Sequence, residues 1–156
     1  ARAYETFQGM GAELLGLSID SLFSHLAWTR NIKEKFGVTI PFPIIEDIKM
    51  DVARAYGMVH PGASDTQAVR AAFFIDPKAV LRAMVYYPMS NGRSVQEFLR
   101  LLEAMQTSDK HSVATPEGWM PGNDVLVPPP KTTDAADKRA TEGYKMTDWY
   151  YATRPL

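Results

Sequence analysis

Two arginines in unusual surroundings are the residues of this chain best placed to do chemistry. Arg70 sits at the mouth of an otherwise apolar run, and Arg93 follows Gly92 at the start of an amphipathic helical pattern. A guanidinium stays charged at any working pH, so partly burying one requires an anionic or strongly polar partner. Two of them at the edge of a buried sheet point to a pocket that stabilises negative charge. Each also has a plainer reading when taken alone. Arg70 could pair with a carboxylate at a strand end. Arg93 could be a first-turn helical residue in solvent, although the positive end of the helix dipole disfavours a cation there.

Other chemistries find less support. The chain has no cysteine, which excludes a disulfide framework and thiolate metal sites. His25, His60 and His111 fall on different elements without ligand spacing, so no metal is expected. His25, near Trp28, reads as a surface or interface residue. Glu46, Asp47 and Asp51 read as residues that cap and start a helix rather than as an acid–base pair. The GxSxG, P-loop and GxGxxG patterns are all missing, and no cofactor is expected. The eight methionines read as packing residues. With 17 basic and 18 acidic residues and a net charge of -1, neither a nucleic-acid nor an anionic-membrane surface is indicated. No apolar run approaches the roughly 20 residues of a spanning helix. A cytoplasmic location is the default expectation.

The elements that must position the arginines follow from periodicity. Tyr4, Phe7 and Met10 repeat at helical spacing, with Gly9 or Gly11 to end the helix, but no capping side chain precedes them. A helix that opens with its apolar face already running reads as part of a longer element, so upstream sequence is expected. Residues 14–19 form a continuous apolar run of the buried-strand kind. Asp20 or Ser21 can cap a helix over residues 22–36, closed by Gly37. Residues 40–45 are apolar, but Pro41 and Pro43 make them an edge strand or extended segment. A short helix over residues 50–56 precedes a polar loop at 60–67. Residues 71–75 and 80–87 flank Asp76, Pro77, Lys78 and Ala79 as an antiparallel hairpin with a two-residue turn. Residues 94–105 complete the pattern as an amphipathic helix.

Parallel strands with helical crossovers, followed by a hairpin, predict an α/β fold: a thioredoxin-like mixed sheet flanked by helices. Composition shifts after Thr107. The expected division is a core over residues 1–106 and an extended C-terminal arm over 107–156. The arm holds the run Pro128, Pro129 and Pro130, a short polar helix at about 133–142, and an aromatic end with no periodicity. Its Trp119, Trp149, Tyr150 and Tyr151 need a surface to pack on, either the chain's own core or a partner subunit.

At the hairpin and the arginines the sequence resembles a known family. Val69, Arg70, Phe73, Ile75 and Asp76, then Tyr86, Tyr87 and Pro88, then Gly92, Arg93, Glu97, Leu99 and Arg100 follow a peroxiredoxin pattern. The stretches GLSIDSLFSHLAW, IPFPIIED and DVLVPPP match in the same order, so the likeness covers essentially the whole chain. It is nearest the one-cysteine, peroxiredoxin-6-like subgroup that includes the archaeal thiol peroxidases.

The resemblance implies thiol-dependent reduction of hydrogen peroxide and alkyl hydroperoxides by a cysteine thiolate. The family's P-x-x-x-T-x-x-C motif lies upstream of the first helix. This chain holds neither the motif nor any cysteine, so as it stands it is expected to be inactive. Arg70 matches the arginine that contacts the peroxidatic sulfur and the peroxide, and Arg93 a second arginine supporting that pocket. Some relatives carry two cysteines flanking the D-W-aromatic segment, where Met146 and Ala152 stand here. A one-cysteine mechanism with an external thiol reductant follows. The resemblance also implies a homodimer and possibly a decamer. The apolar run 80–87, a hazard as an exposed edge, is consistent with pairing to a second copy. The rival reading is a naturally cysteine-free interaction or holdase protein on the same fold. Retention of both arginines weighs against it.

Overall fold

The computed structural model describes residues 1–60 and 68–156 of the chain. It divides into two compact units, Ala1–Ser94 and Val95–Leu156.

The first unit opens on helix α1 (Tyr4–Gly9), whose Phe7 is buried and whose N-terminus has no side-chain cap. Gly11, at φ 71°, turns the chain, a conformation that costs glycine little. Strand β1 (Gly16–Ser18) follows. Helix α2 (Leu22–Phe36) has the ends its sequence demands. The Ser21 hydroxyl accepts the Ser24 N–H, and Gly37 adopts the left-handed conformation while donating to the Lys33 carbonyl.

Strand β2 (Ile44–Glu46) pairs in parallel with β1, Gly16 opposite Ile44. Both prolines lie outside the strand, and the Pro43 carbonyl accepts from the Gly16 N–H. Helix α3 (Asp51–Ala55) is started by the buried Asp47, whose two carboxylate oxygens accept from the amides of Val52 and Ala53. That is the capping role expected of it. The part of the expected 60–67 loop from residue 61 onward lies outside the described residues.

Strands β3 (Arg70–Ile75) and β4 (Leu81–Tyr87) form the expected antiparallel hairpin. Its turn is not the two-residue type. A bulge between Phe74 and Ile75 shifts the register, and Ala79 sits at φ 61°. The Asp76 carboxylate accepts from the amides of Lys78 and Val80, which fixes the wider turn. The parallel pair and the hairpin are two separate ladders, and no described strand is hydrogen-bonded to both.

The second unit begins with helix α4 (Val95–His111), longer than its sequence pattern suggested. Strand β5 (Val125–Leu126) precedes the triple proline. Helix α5 (Thr133–Arg139) is capped by the Thr132 hydroxyl. Strands β6 (Lys145–Asp148) and β7 (Tyr151–Arg154) complete an antiparallel sheet in the order β5–β7–β6. The aromatic tail is therefore a hairpin, not an irregular arm. Ala104, Val113, Trp119 and Val125 form a core of this unit's own. Trp149 and Tyr150 stay about half exposed.

Candidate active site

Backbone register places Arg70 first. It opens β3 and stands directly opposite Tyr87, the last residue of β4. Side chains alternate along a strand, so Arg70 shares one face of the hairpin with Ala72, Phe74, Ala83, Val85 and Tyr87. The guanidinium is half-buried, and its Nη1 donates to the Asn91 carbonyl at 2.9 Å. That bond ties the start of β3 to the loop after β4.

Arg93 approaches the same corner from the other side. Its Nη1 points at the Ala71 carbonyl at 3.5 Å, the long limit of a hydrogen bond. The structure thus brings both arginines to the mouth of the hairpin, one reaching into the 88–94 loop and the other reaching back from it. The plainer reading of Arg93 as a first-turn helical residue does not hold. It lies two positions before α4 begins, is exposed, and belongs to the first unit. The dipole conflict inferred for it therefore does not arise. The Ser94 amide, also in that loop, points at the Tyr87 hydroxyl.

Among the described residues neither Arg70 nor Arg93 forms an ion pair. A guanidinium has five donors. Each arginine therefore keeps donors that no described residue engages.

The opposite face of the hairpin carries an aromatic lattice that sequence reasoning did not single out. Phe73 packs edge-on against Tyr56 at 4.9 Å and Tyr86 at 5.8 Å. The His60 ring stacks on Tyr86, whose hydroxyl donates to the Tyr56 carbonyl. This lattice packs Tyr56, just after α3, against the face of the hairpin opposite Arg70. The alternation of Phe73 and Tyr86 against Arg70 and Tyr87 was the signal that could have found it.

His25 departs from expectation more sharply. It is 6% exposed, not a surface residue. Met146 and Ala152 stand directly opposite each other on β6 and β7. No three histidines, aspartates or glutamates gather as a metal site among the described residues. None of the described helices is long and apolar enough to cross a membrane.

Comparison with known proteins gives two family matches: the AhpC/TSA family over residues 1–84 and the C-terminal domain of 1-Cys peroxiredoxin over residues 104–143. The chain is 52% identical to a peroxiredoxin of Aquifex aeolicus, over 100% of this chain and 75% of that protein. It is 50% identical to a peroxiredoxin of Methanosarcina mazei, over 96% and 73% respectively. Among solved structures it matches a yeast mitochondrial 1-Cys peroxiredoxin with TM-score 0.87 and 34% identity, covering 100% of this chain and 76% of that one. It also matches a cysteine-to-serine mutant of the peroxiredoxin 6 of Arenicola marina, with TM-score 0.84 and 30% identity, covering 99% and 74%. These matches carry the thioredoxin-type α/β fold expected from the order of elements.

Proposed function

The chain belongs to the AhpC/TSA family of peroxiredoxins, in its one-cysteine branch, and on that premise we propose that its hairpin mouth is the peroxide-binding half of a thiol-dependent peroxidase site. Arg70 and Arg93 are the residues of this half. In the reaction a thiolate attacks one peroxide oxygen, the O–O bond breaks, and the departing oxygen leaves as water or an alcohol once protonated. The sulfur is left as a sulfenic acid, which an external thiol reduces. Arg70 would hold the thiolate ionised and stabilise charge on the departing oxygen, and Arg93 would support the same pocket.

The observation that carries this reading is the pair of guanidiniums at one corner, each anchored by a single backbone carbonyl and otherwise uncommitted. The nucleophile is not in this chain, which has no cysteine. It is therefore a binding half without turnover. Met146 and Ala152 leave the tail without a resolving cysteine, so the reductant is external, and the family likeness makes it a thiol. Residues 107–156 act as the dimerisation arm of a homodimer, an assignment supported by the match of residues 104–143 to the 1-Cys C-terminal domain.

A cysteine-free site makes the test direct, since substrate can bind without being consumed. Titration of the labelled chain with tert-butyl hydroperoxide should shift the Arg70 and Arg93 Nε–H signals saturably, with no loss of peroxide in the presence of dithiothreitol. Arg70→Gln should abolish the shifts. Shifts that ignore Arg70→Gln, or no shifts at all, would favour the non-catalytic interaction protein. Peroxide consumption by this chain would overturn the assignment of inactivity.

A further inference from the structure

The loop between β4 and α4, residues 88–94, holds one residue whose bonds run both inward to the loop and outward to Arg70. Asn91 has three polar groups engaged. Its amide N–H donates to the Pro88 carbonyl at 3.0 Å, which closes a β-turn. Its side-chain Oδ1 accepts from the Ser90 hydroxyl at 2.9 Å. Its carbonyl accepts from Arg70 Nη1 at 2.9 Å, across a separation of 21 residues. The first two bonds set the shape of the turn, and the third passes that shape on to the guanidinium.

A long side chain that is ordered only when its ligand arrives weakens binding by the entropy it then loses. A donor that stabilises charge acts best when it is aimed beforehand. The Asn91 carbonyl does this for Arg70, because one Nη is held while the rest of the fork keeps its donors. Arg93 has no comparable hold, since its bond to the Ala71 carbonyl is 3.5 Å long. The far end of the loop is also looser, with the Ser94 amide 3.5 Å from the Tyr87 hydroxyl.

We propose that Asn91 is the positioning residue of the hairpin mouth: the carbonyl presented by its turn fixes the Arg70 guanidinium in the orientation that receives a peroxide oxygen. The inference rests on the peroxide reading of Arg70 and Arg93. Its working parts are the backbone amide and carbonyl of Asn91, with the Ser90 hydroxyl as a brace.

The experiment uses the intact 156-residue chain and tert-butyl hydroperoxide as the probe, followed at the Arg70 Nε–H signal. Asn91→Pro deletes the amide that closes the turn and restricts the backbone of Ser90. It should weaken hydroperoxide binding by about tenfold or more. Ser90→Ala removes the brace alone and should weaken it by about two- to fourfold. Tyr86→Phe, on the opposite face of the hairpin, should bind as the wild type does. A second signature separates positioning from loss of structure. A guanidinium bonded to a carbonyl turns slowly about its C–N bonds, so Arg70 should show separate Nη signals in the ligand-free chain at low temperature. Those signals should merge in Asn91→Pro, while the amide signals of β3 and β4 hold their positions and Arg139, bonded to two carbonyls of its own, keeps its pattern. If the β3 and β4 signals are lost as well, Ser90→Ala decides the matter by the same two readouts. The inference fails if the deciding variant binds hydroperoxide as tightly as the wild type and keeps separate Arg70 Nη signals, or if Tyr86→Phe weakens binding as much as Asn91→Pro. Either result, with a wild type that responds saturably, leaves the peroxide reading standing. A wild type that shows no saturable shift overturns both.

Discussion

Arg139, in the C-terminal unit, is 4% exposed and donates to the carbonyls of Trp149 at 3.0 Å and Pro128 at 2.6 Å. Its guanidinium carbon lies 5.7 Å from the centre of the Tyr144 ring. Arg70 and Arg93, in the N-terminal unit, have one carbonyl each at 2.9 and 3.5 Å. Arg139 lies in a closed set of partners that joins the triple proline to the turn between β6 and β7. The other two are fixed loosely and keep donors over. An arginine whose hydrogen-bonding capacity is used by the backbone is part of the fold, whereas one left partly unused at a strand mouth is available to a ligand. Arg100 falls on the structural side, with a bidentate pair to Glu97 at 2.7 Å and a further bond to the Trp119 carbonyl.

The largest effect expected from this contrast is on chemistry. Placing a P-x-x-x-T-x-x-C segment ahead of Ala1 should give thiol-dependent peroxide turnover. In that fusion Arg70→Gln should lower kcat/KM by about 10²–10³, the usual consequence of removing a charge-stabilising donor. Arg139→Gln, if it folds, should leave kcat/KM within about threefold. Equal losses from the two changes would erase the distinction between them.

Stability should rank the same arginines in reverse. Arg139→Ala removes two charge-assisted hydrogen bonds made by a buried guanidinium, at about 1.5–3 kcal/mol each, so a loss of about 3 kcal/mol is expected in urea denaturation. Arg93→Ala should cost less than about 0.5 kcal/mol, as surface changes away from special features do. If Arg93→Ala proved as damaging as Arg139→Ala, Arg93 would be a structural residue and the peroxide reading would lose one of its two supports.

How far the sequence anticipated this picture depended on how local each signal was. Helix α2 was legible because Ser21 and Gly37 state its ends in residue types that have few other uses. The hairpin was legible but its turn was mis-sized. The left-handed residue is Ala79 rather than a glycine, and only the Asp76 carboxylate, bonded across the turn, makes that conformation tenable. Strands β6 and β7 escaped notice because they are short and every residue of β6 is exposed, leaving no alternation to read. Arg70 was legible as an oddity in an apolar run, and the role proposed for it came from family resemblance. The burial of His25 was not legible. Leu22 and Thr29 share its stripe, but Phe23, Trp28 and Phe36 are large apolar residues elsewhere on the helix and are 79%, 55% and 65% exposed. Hydrophobicity alone therefore does not identify the face that carries His25.

A buried polar group with a purely structural task in the N-terminal unit separates location from role. Asp47 is 5% exposed and both its oxygens accept helix amides, at 3.1 and 2.7 Å. Asp47→Ala should cost about 1–2 kcal/mol through loss of the cap at α3. Hydroperoxide-induced shifts at Arg70 should be unchanged in that variant. Were they lost, the corner would depend on α3 through the Tyr56–Phe73–Tyr86 lattice, and the site would extend further than the two arginines.

The smallest expected effect concerns Glu97 and Arg100, the paired arginine of the C-terminal unit. The hydrogen bond from Arg100 holds the Glu97 carboxyl below its ordinary value of 4.5, with burial working against it and the charge of Arg100 adding to it. A carboxylate with a lowered folded pKa adds stability above its unfolded pKa and loses it as pH falls through the folded value. The stability of Val95–Leu156 should thus begin to decline as pH drops past about 4.5, and Glu97→Gln should flatten that part of the pH profile. The amplitude should stay below about 1 kcal/mol, because the Glu97 side chain is 41% exposed and water screens the pair. A profile unchanged by Glu97→Gln would mean that Arg100 is held by the Trp119 carbonyl alone. It would then resemble Arg70, and the number of bonds to an arginine would no longer separate structural from functional positions in this chain.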